Sequence, residues 1–418
     1  MPSEMLRERL LDVERTHLMY SPSITTVTFF RGDPAHASTV MEQKLQQVVE
    51  ANPWLTGSLE LRAGELALCY AHPPEKARVA QLFNPTSLHG RPCKKTVVLH
   101  EGMEYTKMCA AISRTAAEVP TGSACKNNAH PLVALSVVPD ARAPTSAFAL
   151  VFSVSHVILD GFNYYQLLAM LSTSGKITSI SPARKHAIDE ANKAACPETY
   201  ALFHSLSFLV NILTGMIFGR RPLLENRYVD PPRVAAEKAK ATPAVKFVST
   251  NDVVFSCFAR TVAARVGLMA INWRERLPGF ASTDVGNYEG LLAFGPEDYA
   301  EPALVRKSLA SGPPTFLRGG GGEKTPEPFP GRWELLTCRV AVVSSWVFPH
   351  FSELAIDGCS HLLHIPCSDA QLVPFEFAIV YRPRAGQLAV VCGVRTCSGD
   401  DLMAGLPLGA SVASVVEQ

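Results

Sequence analysis

The chain has 418 residues, a formal net charge of +1, and 47% hydrophobic against 18% charged residues. At about 150 residues per domain this predicts two or three domains with large cores, and the near-zero charge gives no electrostatic reason to expect nucleic acid as a partner. Eleven cysteines, an odd number with no Cys-x-x-Cys pair, favour reduced thiols in a cytosol-like compartment over a disulfide framework. Met1 to Glu14 mix Glu4, Arg7, Arg9, Asp12 and Glu14 with apolar positions, unlike a signal or transit peptide.

Residues 23–30 (SITTVTFF) read as a strand because β-branched and aromatic residues dominate. A helix follows, with Thr39 and Glu42 as a capping box and Val40, Leu45, Val48 and Val49 as its apolar stripe; Asn52-Pro53 ends it. Residues 57–70 predict a hairpin turning near Ala63-Gly64. Residues 131–138 (PLVALSVV) and 147–155 (AFALVFSVS) are buried-type strands, and the second runs straight into His156. After Gly161, FNYYQLLAMLS predicts a helix.

Residues 201–219 are mostly apolar and are followed by Arg220 and Arg221. Their length approaches the ~20 residues needed to cross a bilayer. His204, Ser205, Ser207, Asn211 and Thr214 interrupt the run, and Gly215 and Gly219 weaken it as a helix. A buried helix or a flap over an apolar site is the first reading, a helix dipping into a membrane surface the second, and a true span the last.

Residues 220–246, rich in charge and proline, read as a crossover linker. A second unit then begins: Ser249 or Thr250 caps a helix with Asp252 in its first turn and Val254, Cys257, Phe258, Thr261 and Val262 on one side. LMAINW (268–273) is the next strand. Residues 311–332 hold the run Gly319 to Gly322 and five prolines, read as a surface loop rather than a phosphate loop because the G-x-x-x-x-G-K-[ST] spacing is missing. Residues 335–346, 375–382 and 387–395 predict three further strands, the last two a hairpin around Pro383 to Gly386. No short repeat is present, and alternating strands and helices indicate an α/β protein with units at 1–219 and 247–418 joined by 220–246.

The segment Ser155-His156-Val157-Ile158-Leu159-Asp160-Gly161 carries the chemistry. Acyl transfer needs a base to take a proton from the incoming hydroxyl or amine, and donors to hold the developing oxyanion. An imidazole suits the first task because it titrates near neutrality. Asp160 is close enough to stiffen the turn or pair with a distant cation, and Gly161 leaves room for a sharp turn or a ligand. On spacing alone, a lone histidine beside an apolar strand is more often a satisfied structural residue than a base.

The segment resembles the H-x-x-x-D-G signature of the chloramphenicol-acetyltransferase-like superfamily, whose members include BAHD acyltransferases, condensation domains and wax ester synthases. Further matches follow in order: Asn52-Pro53-Trp54-Leu55, Ser249-Thr250-Asn251-Asp252, Ala270 through Leu277 with Arg274 and Arg276, Gly286-Asn287, and Ser344-Ser345-Trp346. Ser155 stands where double-histidine members have a second histidine, and Ile356-Asp357-Gly358-Cys359-Ser360 is the nearest counterpart of a D-F-G-W-G segment whose Trp is lost. The resemblance implies two similar domains with mixed sheets flanked by helices, a channel between them, acyl-CoA as co-substrate and no tightly bound cofactor.

In site terms, the resemblance implies His156 as the base, and Ser344 and Trp346 as contacts to the acyl carbonyl; a strand end with a packed aromatic is their plain alternative. Lys246, Ser249 and Thr250 are candidates for the pantetheine or phosphates of coenzyme A, against a solvated lysine beside an N-cap pair. Asp160, Arg274, Arg276 and Asp357 form the candidate structural ion-pair set. Cys359, His361, His364 and Cys367 bear ligand-type side chains, but the C-x-H-x₂-H-x₂-C spacing matches no zinc pattern and no metal is expected. The leading function is O-acylation of a small, apolar alcohol by a monomeric enzyme of secondary metabolism, cytoplasmic or touching a membrane through 201–219. N-acylation or condensation with a carrier-protein thioester, and a catalytically silent binding protein of the same fold, are the alternatives.

Overall fold

The structure is a computed structural model in which residues 3–15, 22–85, 87–88, 91–92, 96–241, 245–310, 316–321, 326–367 and 373–412 are described. The first unit contains β1 (Glu4–Arg9), β2 (Ser23–Arg31), α1 (Pro34–Ala51), β3 (Ser58–Arg62), β4 (Glu65–His72), β5 (Val133–Pro139), β6 (Ala147–Ser155) and α2 (Gly161–Leu171). Then come α3 (Pro197–Phe203), α4 (Leu206–Phe218), β7 (Leu223–Val229), α5 (Pro231–Ala241), α6 (Thr250–Thr261), β8 (Val266–Asn272), β9 (Glu289–Phe294) and α7 (Arg332–Leu335). The chain finishes with β10 (Val340–Ser345), β11 (Ser360–Cys367), β12 (Glu376–Arg384), β13 (Gln387–Val394) and β14 (Leu408–Ser411).

Two sheets organise the molecule. A four-stranded antiparallel sheet has the order β11-β2-β6-β5, and a seven-stranded mixed sheet has the order β9-β8-β10-β12-β13-β7-β14. A smaller sheet, β1-β4-β3, flanks the first. The expected α/β class with helix-flanked mixed sheets is the observed one.

β6 explains how the sheets meet. All nine of its residues are buried, because successive side chains face opposite sides and both sides are covered. Phe148, Leu150, Phe152 and Val154 pack against Met41, Leu45 and Val48 of α1 and Leu167 and Leu168 of α2. Ala149 and Val151 join Val27 and Phe29 in a core shared with Phe377, Ile379, Tyr381 and Val391 of the second sheet. One strand thereby serves the core of its own unit and the contact between units.

Four element readings change. α1 starts at Pro34, not at Thr39: the Asp33 side chain accepts from Ala35 N–H and Pro34 occupies the first turn, so Thr39 only hydrogen-bonds back to Ala35 O inside the helix. The presumed linker 220–246 contributes β7, laid between β13 and β14, and then α5. Its charge misled because Glu225 and Arg227 pair with each other on the strand at 3.0 Å, while Pro231 opens α5 rather than breaking it. Residues 335–346 are strand only from Val340; α7 precedes it, with Asn211 Nδ2 donating to Leu335 O and Cys338 O. Residues 201–219 form no continuous buried helix: α3 and α4 meet at 54°, and most of α4 faces outward.

Of the glycine run, Gly319 to Gly321 close a single 3-10 turn that starts at Arg318, while Gly322 and residues 311–315 and 323–325 lie outside the described residues. β11 belongs by sequence to the second half, yet it pairs with β2 along the edge of the first sheet.

Candidate active site

β6 ends at Ser155, and His156 opens the turn that leads to α2. Ile158 N–H donates to Ser155 O to close that turn, and Arg184 Nη2 donates to Ile158 O at 2.8 Å. Asp160 is the N-cap of α2: its Oδ1 accepts from Asn163 N–H at 3.2 Å. A rigid strand and a capped helix thus fix both ends of a five-residue connection, which is what holds a reactive side chain in place.

The imidazole is oriented by a residue 131 positions away: His156 Nδ1 lies 3.0 Å from Asn287 Oδ1. Asn287 Nδ2 donates to His156 O at 2.9 Å and to Glu14 Oε1 at 3.1 Å, both pure acceptors, so its amide has one orientation and its oxygen must face Nδ1. Nδ1 therefore carries the proton and Nε2 holds the lone pair. Glu14 also accepts from Asn287 N–H, Leu11 N–H and Arg184 Nε. Both Glu14 and the Arg184 side chain are fully buried, so the pair is a closed support under the histidine.

Nε2 faces Glu289, whose Oε1 lies 3.6 Å away. Burial, with Asp160 nearby, pushes the Glu289 carboxyl up to about 8, and burial lowers the His156 pKa. Near neutrality the carboxyl is protonated and the imidazole is free of charge. An ionised Glu289 would favour imidazolium and remove the base; a neutral one does not.

The Asp160 carboxylate is directed at the second half of the chain. Its Oδ2 accepts from Arg274 Nη1 at 2.7 Å and from Tyr288 N–H at 3.1 Å, with both side chains of the ion pair buried. The guanidinium also donates to Asp284 O, Asn163 Oδ1, Asn272 Oδ1 and Gly286 O, and it sits 5.0 Å from the ring centroids of Phe162 and Tyr288. Such complete pairing is what a buried charge pair requires. Gly286 is needed here: its φ is +143° and a Cβ would lie 3.2 Å from the Arg184 side chain.

Two expected members of the ion-pair set stand elsewhere. Arg276 is exposed on the turn after β8, and its pKa is lowered by desolvation with Arg306 nearby rather than raised by a carboxylate. Asp357 is exposed; its Oδ1 accepts from Thr173 Oγ1 at 2.8 Å and its carbonyl meets His36 Nε2. The segment docks a loop of the second half onto the first rather than completing the charge pair.

A cavity of about 40 Å³ lies where the two units meet, lined by Asp160, Gly161, Glu289, Ser344, Trp346 and Phe348 among others. Gly161, Ser344 and Trp346 are thus brought together, and Glu289 connects their cavity to His156, which is not itself on its wall. Gly161 takes no left-handed conformation; a Cβ there would point into this cavity, 3.7 Å from Phe348 and 4.0 Å from Trp346 Nε1.

The coenzyme candidates sit around the start of α6. Ser249 is the N-cap of α6 in a reciprocal box with Asp252, and Arg306 donates to both. Thr250 accepts from Lys238 Nζ, while Lys246 is exposed. None of the three lines the cavity. In the Cys/His segment, His364 is buried between Thr28 Oγ1 and Tyr165 Oη, which meet its two ring nitrogens, and burial pushes its pKa down to about 3. His361 Nδ1 lies 3.2 Å from Glu353.

Sequence reasoning missed Glu14, Arg184 and Glu289 as site residues, and noticed Asn287 without giving it a role. Only the pair Gly286-Asn287 carried a signal, and it did so through the family resemblance rather than through its own chemistry.

No family model and no curated protein sequence matches the chain. Solved structures do. Vinorine synthase aligns with TM-score 0.57 at 13% identity over 99% of each chain. TRI101 of F. graminearum, complexed with ethyl coenzyme A, aligns with TM-score 0.54 at 12% identity over 96% of each chain. The first condensation domain of the calcium-dependent antibiotic synthetase, in complex with a substrate analogue, gives 0.57 at 14% identity over 96% of this chain and 94% of that one. The chain shares the two-domain fold of these structures.

Proposed function

We propose that the chain transfers an acyl group from acyl-CoA to the hydroxyl of a small, apolar acceptor, with His156 Nε2 as general base in a ternary complex. The observation that carries this reading is the contact between His156 Nδ1 and Asn287 Oδ1: Asn287, oriented by Glu14 and His156 O, accepts from Nδ1, and Nε2 is turned towards Glu289, which lines the cavity. His156 takes the hydroxyl proton as the acceptor oxygen attacks the thioester carbonyl. The Ser344 hydroxyl and the Trp346 indole N–H are donors of the right type for the developing oxyanion. The C–S bond then breaks, and the imidazolium returns its proton to the departing thiolate. Asp160 braces the turn through Arg274 and takes no proton. Lys246, Ser249 and Thr250 have no part in this reading, because none of them lines the cavity.

Release of free coenzyme A, followed with a thiol reagent across acyl-CoAs and mixed alcohols and amines, tests the reading. His156→Ala is expected to lower turnover by ~10²–10⁴-fold. Equal rates for wild type and His156→Ala across the panel would end it. The likeness to a condensation domain supports a second reading, in which a carrier-protein thioester delivers the same acyl group to the same base. Turnover with a loaded carrier but with no free acyl-CoA would select it.

A further inference from the structure

α4 has two apolar faces. On one, Phe208 and Ile212 are 1% and 5% exposed and pack with Leu202, Leu335 and Phe375. On the other, Leu206, Leu209, Leu213, Met216 and Ile217 are 40 to 74% exposed. At 3.6 residues per turn these five fall within about 100° of the helix circumference, so they form one stripe pointing away from the core. Phe218, 80% exposed, is the last residue of α4. No charged residue stands between Glu198 and Arg220, and then Arg220 and Arg221 follow, both exposed. α7 packs against α4, and there Trp333 is 85% exposed beside the exposed Arg332.

We propose that this face docks on an anionic lipid bilayer, with the α4 stripe and the Trp333 indole in the boundary between headgroups and acyl chains and with Arg220, Arg221 and Arg332 against lipid phosphates. An apolar stripe alone would fit a protein groove as well. The chemistry around it selects lipid: an exposed indole has an apolar body and a polar N–H, suited to the interface, and arginines at the edge of the stripe match a negative surface. The segment lies on the membrane rather than crossing it. No single described helix is long and apolar enough to span, and the inner face of α4 is held in the protein core. An amphipathic helix in this position inserts about 5–10 Å. The inference is independent of the acyl-transfer reading.

The test uses the full chain with phosphatidylcholine vesicles, with and without phosphatidylserine, read by co-sedimentation and by tryptophan emission. Trp54 and Trp273 are buried, so a blue shift on binding that Trp333→Phe removes reports this face. Binding is expected for the phosphatidylserine vesicles, weakening as salt rises. Arg220→Glu/Arg221→Glu is expected to weaken it by at least roughly 30-fold, at about 1 kcal/mol per arginine. Leu213→Glu/Ile217→Glu is expected to abolish it while leaving the urea midpoint and the activity unchanged. Binding that survives Leu213→Glu/Ile217→Glu overturns the proposal. So does a chain that ignores both vesicles, including one that forms a dimer dissolved by the same double substitution.

Discussion

Replacing Glu289 by Gln separates the two protons at the site. The folded-state pKa of Glu289 is raised to about 8 against an ordinary value of 4.5. Stability from this group is therefore complete below pH 4.5 and lost as pH rises towards 8. Glutamine does not titrate, so Glu289→Gln is expected to gain stability relative to wild type between those limits, with a constant gap above them. Urea midpoints measured across pH check this, and parallel curves for the two proteins would refute the raised pKa. Arg274→Met tests the brace. It leaves the Asp160 carboxylate buried without its cation, an expected loss of about 3–5 kcal/mol. Adding Asp160→Asn should restore part of it, and additive losses in that cycle would mean that the pair is not coupled. Asp160 was legible in the residues only as a group that could stiffen the turn or pair with a distant cation, and the family resemblance narrowed it to a brace. Its cation was legible only as one of two arginines, since which of Arg274 and Arg276 turns inward depends on β8 meeting the first unit.

At the scale of elements, α6 decides what Ser249 does. In the reciprocal cap its hydroxyl oxygen accepts from Asp252 N–H and its own N–H donates to Asp252 Oδ2. Ser249→Ala is expected to cost about 1 kcal/mol, within the usual 0.5–2, and to leave the KM for acyl-CoA unchanged. A raised KM at unchanged stability would return Ser249 to the coenzyme site. The helix was read correctly from the Ser249–Asp252 spacing, and the same spacing gives the Ser249 hydroxyl a structural job as the acceptor for Asp252 N–H. β7 shows the opposite case. Glu225 and Arg227 look like linker residues until their strand is laid beside β13, where each neutralises the other. Charge composition measures what a segment presents to water only if the segment is exposed.

At the scale of the molecule, the two halves are not separable. β11 comes from residues 360–367 and covers the edge of β2 in the first sheet. A fragment ending at residue 219 would expose that edge, with its row of unpaired N–H and C=O groups and the apolar side chains of Phe29 and Val27. Such a fragment is expected to aggregate, and to show no cooperative urea transition by circular dichroism. A soluble, two-state 1–219 would contradict this account of the architecture. The sequence by itself determined the α/β class, most strands and helices, and the strand-to-helix turn that presents His156, because those follow from periodicity, caps and breakers within a dozen residues. Tertiary structure alone decided what faces the imidazole. Asn287 lies 131 residues from His156, and Glu14 lies 273 residues from Asn287. In sequence Glu14 is one more charge in a polar amino-terminal stretch. It becomes a buried support only when Arg184 and Asn287 arrive to satisfy it, and that arrival depends on packing between units that no local pattern encodes.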